Sequence, residues 1–340
     1  MKYSSKFLVS VVLTLCSALV LALLAGCSQK ASAPTSSDAA NSSGIKVVTT
    51  IYPLQYMTER IAGDKVEVNS LIPNGVEPHG YEPSVQDIIK IKDAKLFVMN
   101  GAGMELWAED MLESNKNKDL SVVDTSKNTQ LLASVGEEEH EHEHEGHEHE
   151  GHDHDAAHEH EHHHSHGPND PHLWLSPKRA IAQAEAIYNG LVEVDPANKE
   201  SYKQNYDALK AELEELDKNY TEELSELSNK AIVTSHTAFA YLANDYDLKQ
   251  LGISGVNGDS EPSPKDMAKI VDFVKENNVK AIFTEELVSP KVAQAVSKET
   301  GANLDTLYTI EAYTEDMQKN NETYLDLLKK NLETLKKNLA

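Results

Sequence analysis

The chain has 340 residues, with 56 acidic against 31 basic side chains and a formal net charge of −25. That balance excludes a nucleic-acid partner held through its phosphates, which requires clustered Lys and Arg. Cys16 and Cys27 are the only cysteines, so a zinc site of the Cys-x-x-Cys kind is excluded as well.

Lys2 and Lys6 precede an apolar run from Phe7 to Ala25, and Leu24-Ala25-Gly26-Cys27 follows its core. This pattern predicts a cleaved signal over residues 1–26 rather than a retained membrane helix. The four residues resemble the bacterial lipobox, which implies lipidation of Cys27 and an extracytoplasmic protein anchored to the cell membrane. Cys16 would leave with the signal. Residues 27–44 are rich in Ser, Ala, Asn, Pro and Thr, too poor in apolar groups to pack, and are predicted to be a solvated tether.

Short β-branched runs then alternate with amphipathic stretches. Strands are expected at Ile45–Thr50, Val66–Ile72, Lys95–Met99 and Leu120–Val123, with helices at Leu54–Ile61, Val85–Ile91 and Met104–Leu112 between them. Such alternation predicts βαβ units and a parallel sheet. This first lobe is assigned to residues 45–194. Within it, residues 136–167 form a low-complexity His/Glu tract that can build no core.

A helix is expected at Pro177–Val194, and a longer one opens near Asp195-Pro196, a good start signal. Leu209, Leu213, Leu216, Tyr220, Leu224 and Leu227 follow at helical spacing and share one face. The face is either a core stripe or that of a strut joining two lobes, and the linker region is placed at 195–228. The strand–helix pattern then restarts over 229–340. Strands are expected at Ala231–Ser235, Lys249–Ile253, Ala281–Thr284 and Leu304–Tyr308, with helices at Ala238–Asp245, Pro264–Glu276, Pro290–Thr300 and Asp316–Leu339.

Histidine is distributed unevenly. Thirteen of the 16 lie in the tract, as His140, His142, His144, His147, His149, His152, His154, His158, His160, His162, His163, His164 and His166. Residues 137–166 also hold 12 acidic and no basic side chains, so the rest of the chain carries −13. The three remaining histidines, His79, His172 and His236, are isolated in otherwise histidine-free sequence. Imidazole is the commonest metal ligand and suits zinc, copper, iron and nickel. The two populations therefore read as a capture tract of weak sites and a folded site. His79 lies between Pro78 and Gly80 on a loop stiffened by Pro78 and Pro83, His172 lies in Asp170-Pro171-His172 just before a helix, and His236 follows a strand. Loops at the carboxyl ends of parallel strands are where open α/β sheets bind ligands.

Three imidazoles leave one position of a tetrahedral zinc site for a carboxylate or water. Glu285 and Glu286 end a strand at the edge where His236 sits. Alternation along a strand turns only one of them into the cleft, and periodicity does not choose between them.

Five ordered segments resemble the zinc-binding receptor lipoproteins of bacterial ABC importers, the ZnuA/AdcA and TroA-like group. They are Pro78-His79-Gly80-Tyr81-Glu82-Pro83-Ser84, Asp170-Pro171-His172-Leu173-Trp174, Ser235-His236-Thr237-Ala238-Phe239, Glu261-Pro262-Ser263-Pro264 and Ile282-Phe283-Thr284-Glu285. The resemblance implies an α/β, cluster A-I type solute-binding protein, with two parallel-rich lobes flanked by helices and joined by one long helix. It implies that His79, His172, His236 and Glu285 hold Zn²⁺ in the interlobe cleft. It also implies a monomeric non-enzyme that delivers the ion to an ABC permease with its cytoplasmic ATPase. Manganese receptors of the same group use two histidines and two carboxylates, so His236 favours zinc, in line with the preference of manganese for oxygen. The rival readings are a manganese receptor, a surface adhesin or zinc buffer without transport, and a zinc hydrolase. The last would need an open metal position and a general base, and no His-Glu-x-x-His helix is present: that spacing occurs only in the low-complexity tract.

Overall fold

The computed structural model describes residues 44–115, 117–134, 169–256, 258 and 262–340. The predicted signal, Cys27, nearly all of the tether, and the tract with its 13 histidines lie outside the described residues.

The first sheet is built from β1 (Ile45–Thr49), β2 (Val66–Ser70), β3 (Leu96–Met99) and β4 (Ser121–Asp124), with α1 (Tyr52–Ala62), α2 (Val85–Asp93) and α3 (Ala108–Ser114) between them. All pairings are parallel and the order is β2-β1-β3-β4. Val47, Val48, Leu96, Phe97 and Val98 in the central strands are buried, as a parallel sheet covered on both faces requires.

Two helices follow, α4 (Pro177–Val194) and α5 (Lys199–Ser225), and then the second sheet. Its strands are β5 (Ala231–Thr234), β6 (Lys249–Gly252), β7 (Ala281–Thr284) and β8 (Asn303–Thr306), interleaved with α6 (Ala240–Asp245), α7 (Pro264–Glu276) and α8 (Lys291–Thr300). The order β6-β5-β7-β8 repeats that of the first sheet, again all parallel. In each sheet the winding reverses between its two central strands, which opens a crevice at their carboxyl ends.

The chain closes with α9 (Glu315–Asn320) and α10 (Tyr324–Leu339) where one continuous helix was expected. Asn321 takes a left-handed φ of 53° and ends α9, and Thr323 with Asp326 forms a capping box that starts α10 afresh. The final strand also stops at Thr306, two residues short of the expected end. That releases 307–314 as a loop.

The 27 residues of α5 make a rod of about 40 Å at ~1.5 Å per residue. Its Tyr202, Tyr206, Leu209, Leu213, Leu216, Tyr220 and Leu224 are buried. The stripe is both core and strut, since α5 packs on α1 and α4 of the first lobe and on α10 of the second. Arg60 pairs with Glu212 at 2.6 Å from one side, and the Tyr220 hydroxyl donates to Leu328 O at 2.6 Å on the other. The result is one continuous apolar cluster running from Val47 and Leu54 through Trp174 and Leu213 to Phe239, Tyr324 and Leu335. Swinging the lobes widely apart would expose that core to water. At about 25 cal/mol per Å² of apolar surface, such an opening is unfavourable.

Candidate metal centre

Each of the three isolated histidines reaches the crevice from a braced loop. His79 follows β2, and its loop ends at the capping box of Ser84 and Asp87 that opens α2. The Glu77 carboxylate accepts from the backbone N–H groups of His79 at 2.8 Å and Gly80 at 3.1 Å. The Tyr81 hydroxyl bonds both Asp87, at 2.8 Å, and Leu71 O, at 3.2 Å. These bonds fix the loop from both ends.

His172 enters through Asp170-Pro171. Asp170 Oδ1 accepts from the His172 backbone N–H at 2.9 Å and lies 3.0 Å from its ring Nδ1. Asn100 Nδ2 donates to Pro171 O at 2.8 Å, and Glu105 holds the Asn100 and Gly101 N–H groups at 2.8 and 2.9 Å. A chain of buried bonds thus ties the His172 turn to the end of β3. Asp170 and His172 are wholly inaccessible to solvent.

His236 stands two residues beyond β5. Glu285 Oε1 accepts from its backbone N–H at 3.0 Å, while Glu285 Oε2 meets its ring Nδ1 in a very short contact. With Nδ1 held by a carboxylate on both His172 and His236, Nε2 is the nitrogen each ring turns toward the cleft, the arrangement metal-binding imidazoles adopt.

The three rings converge. His172 Nε2 lies 3.2 Å from His79 Nε2 and 3.3 Å from His236 Nε2. The fourth group is the carboxylate of Glu311, on the loop released after β8. Its Oε1 lies 3.5, 3.4 and 3.4 Å from the Nε2 atoms of His79, His172 and His236. All four candidate donor atoms lie within 4.8 Å of one another, and all four residues are buried.

Glu285, expected to supply the fourth donor, does not join this group. Its carboxylate is spent on Nδ1 and the backbone of His236, on the side of the ring away from Nε2. Glu286 does not join it either, because its oxygens accept from Thr309 N at 3.0 Å and Ile310 N at 2.7 Å. The sequence reasoning missed Glu311. The available signal was a lone acidic residue in the apolar stretch from Leu307 to Tyr313, just past the last strand of the same sheet edge.

The donor set fits a four-coordinate metal. With Zn–N bonds of about 2.0–2.1 Å, a tetrahedron has edges of about 3.3–3.4 Å; five of the six donor separations are 3.2–3.5 Å, and the sixth, between His79 and His236, lies within 4.8 Å. Glu311 Oε1 is fully buried and makes no well-formed hydrogen bond among the described residues, and a buried carboxylate oxygen without one is unfavourable unless a cation faces it. The electrostatics point the same way. Burial alone would lower the basicity of His236, yet Glu285 and Glu311 outweigh it and hold the imidazole well above its ordinary value. For His172, burial is likewise overcome by Asp170 and Glu311, and its value is raised. Burial would raise Glu311, but the three imidazoles hold it well below the usual carboxylate range. The site is built to hold positive charge.

A cleft of about 360 Å³ adjoins it, lined in part by Glu77, His79, Ser235, His236, Ser289 and Glu311. It gives solvent a path to the edge of the site, while the donor atoms themselves stay covered.

A doubly lobed α/β receptor with a buried three-histidine, one-carboxylate centre defines a class of metal-binding solute receptor. The chain belongs to the family described as zinc-uptake complex component A, periplasmic, which matches residues 47–338. It is similar to the high-affinity zinc uptake system protein ZnuA of Bacillus subtilis, with 39% identity over 321 residues covering 94% of each chain. It is also similar to the zinc-binding lipoprotein AdcA of Streptococcus pneumoniae, with 38% identity over 292 residues, and spans 55% of that longer protein. Among solved structures, the Zn(II)-bound ZnuA-like domain of Streptococcus pneumoniae AdcA aligns with a TM-score of 0.71 and 36% identity, covering 87% of this chain and 99% of that domain.

Proposed function

We propose that this protein is an extracytoplasmic receptor that holds one Zn²⁺ between His79, His172, His236 and Glu311 and passes it to an ABC permease coupled to a cytoplasmic ATPase. One observation carries the reading: three imidazole Nε2 atoms and one carboxylate oxygen, all on buried residues, converge within 4.8 Å of one another, with five of the six separations at 3.2–3.5 Å. Four protein donors leave no open position for a catalytic water, which supports a carrier rather than a hydrolase. Three nitrogens favour zinc over manganese, whose sites are richer in oxygen.

Loading requires Glu311 or one of the loops to move, because the donors are covered. The continuous core through α5 confines that movement to the crevice. Release follows when the permease draws the lobes slightly apart and lengthens the bonds from one side.

The outlying segments fit the same role. Cys27 is the lipid attachment point, residues 27–44 hold the body off the membrane, and the histidines from His140 to His166 bind further zinc weakly and raise its local concentration. Support for this last role comes from the neck of the tract, where Ala133 and Asn169 form an antiparallel bridge one residue before Asp170, the partner of His172.

The test is metal analysis of the purified protein with and without each proposed ligand. One tightly held zinc per chain is expected, dependent on His79, His172, His236 and Glu311, with additional weak sites removed by deleting residues 137–166. Undiminished tight binding in His236→Ala would refute the assignment.

A further inference from the structure

Glu286 has no role in the receptor mechanism above, yet both its oxygens are committed to one turn. Oε2 accepts from Thr309 N at 3.0 Å, and Oε1 accepts from Ile310 N at 2.7 Å and Thr309 Oγ1 at 3.2 Å. The residue so held is unusual. Ile310 has φ of +55°, a conformation that a β-branched side chain adopts only under constraint. Of the described non-glycine residues with positive φ, which are Ala102, Asp247, Asn278, Ile310 and Asn321, it alone is β-branched. It directly precedes Glu311.

The other flank of the turn is held from the opposite lobe. Trp174 Nε1 donates to Thr309 O at 2.7 Å, and Trp174 lies two residues from His172. The Tyr52 N–H points at Glu311 O at 3.4 Å, and the Tyr52 ring stacks on Tyr313 at 4.5 Å. Ile310 is fully buried, so its side chain cannot escape to solvent while the turn is closed.

We propose that Glu286 is a positioning residue, a latch that holds Ile310 in the left-handed region and thereby aims the Glu311 carboxylate at the metal. Backbone strain of this kind persists only where the surroundings over-determine it. When the latch lets go, Ile310 relaxes toward negative φ, the following residue rotates, and Glu311 Oε1 leaves the three imidazoles. Because the turn also hangs on Trp174, a small separation of the lobes loads the latch, which makes Glu311 the ligand that departs first. This inference rests on the assignment of Glu311 as a ligand.

The experiment uses the full chain with cobalt(II) as a spectroscopic probe, whose visible bands report coordination geometry, together with competition for zinc against a chelator. The variants are Glu286→Gln, Glu311→Gln and the double variant Glu286→Gln/Ile310→Gly. Glutamine is isosteric, but its amide nitrogen must face a backbone N–H, so one arm of the latch becomes donor against donor. The expected result is a cobalt spectrum for Glu286→Gln displaced toward that of Glu311→Gln, with zinc affinity lower by about 10- to 100-fold. Glycine tolerates positive φ, so the double variant recovers most of that loss. A brace that served only the fold would leave the cobalt bands unmoved. If Glu311→Gln alters the bands while Glu286→Gln does not, the latch is overturned and the ligand assignment stands. If Glu311→Gln itself leaves them unaltered, both fall. Should Glu286→Gln fail to fold, recovery of folding and zinc binding in the double variant supports the latch, and no recovery overturns it.

Discussion

Glu285 stands behind His236, with one oxygen on the ring Nδ1 and the other on the backbone N–H of the same residue. A carboxylate in that position sets the tautomer and the orientation of the ring and strengthens Nε2 as a donor without touching the metal. Glu285→Gln keeps one acceptor and loses the charge. Zinc affinity should fall by about 10- to 100-fold, and His236→Ala should cost substantially more. Equal losses in the two variants, read by chelator competition, would place Glu285 in the coordination sphere and contradict this geometry.

Glu311→Gln removes the only carboxylate that, among the described residues, meets all three Nε2 atoms. Three imidazoles remain, so zinc should still bind at one per chain, with lower affinity and with water in the vacated position. X-ray absorption of the zinc-loaded variant should show three nitrogen ligands with an oxygen at altered distance. Retention of the wild-type spectrum and affinity would remove Glu311 from the site.

Protons and zinc compete for the same nitrogens. His172 and His236 have raised values in the metal-free fold, while Glu311 is held low and stays ionised. Zinc must displace those imidazole protons, so affinity should fall as pH drops, starting above the ordinary histidine value of about 6.5. The stability of the metal-free protein should run the other way. A raised imidazole contributes fully below its unfolded value of about 6.5, and that contribution is lost as pH rises through the folded value. Zinc stabilisation should therefore be largest on the alkaline side of that window. Calorimetry in buffers of different ionisation enthalpy measures the released protons, and none released near pH ~7 would speak against the charged metal-free site.

The unbroken core through α5 predicts that the two lobes unfold together. Leu213 is fully buried in it, and Leu213→Ala should cost about 2–5 kcal/mol. The variant should keep a single urea transition with tryptophan fluorescence and far-ultraviolet circular dichroism coincident. Two separated transitions would show lobes that fold independently.

Much of this molecule was legible in order along the chain. Short apolar runs became β1, β3, β5 and β7, because a strand buried on both faces has to be apolar throughout. The spacing of Leu209, Leu213, Leu216, Tyr220 and Leu224 became the buried face of α5, because helical periodicity is a property of neighbours in sequence. Isolation marked His79, His172 and His236, since a histidine placed at the end of a strand or on a stiffened loop stands out against a chain that otherwise confines histidine to one tract. The helix break at Asn321 was harder to foresee, because a left-handed residue inside an apolar periodicity leaves the period almost intact on either side.

What the amino-acid order determined, then, was the pair of parallel sheets, the helix between them and the three imidazoles, each set by local pattern or by residue chemistry. The tertiary structure decided which carboxylate meets the three Nε2 atoms. Glu285, Glu286 and Glu311 carry the same side chain and lie near the same sheet edge. Only packing turned the first toward Nδ1 of His236, the second toward the backbone of Thr309 and Ile310, and the third into the crevice. That choice depends on loop backbones brought together from strands far apart in sequence, where a side chain's direction follows from its surroundings and not from its neighbours along the chain.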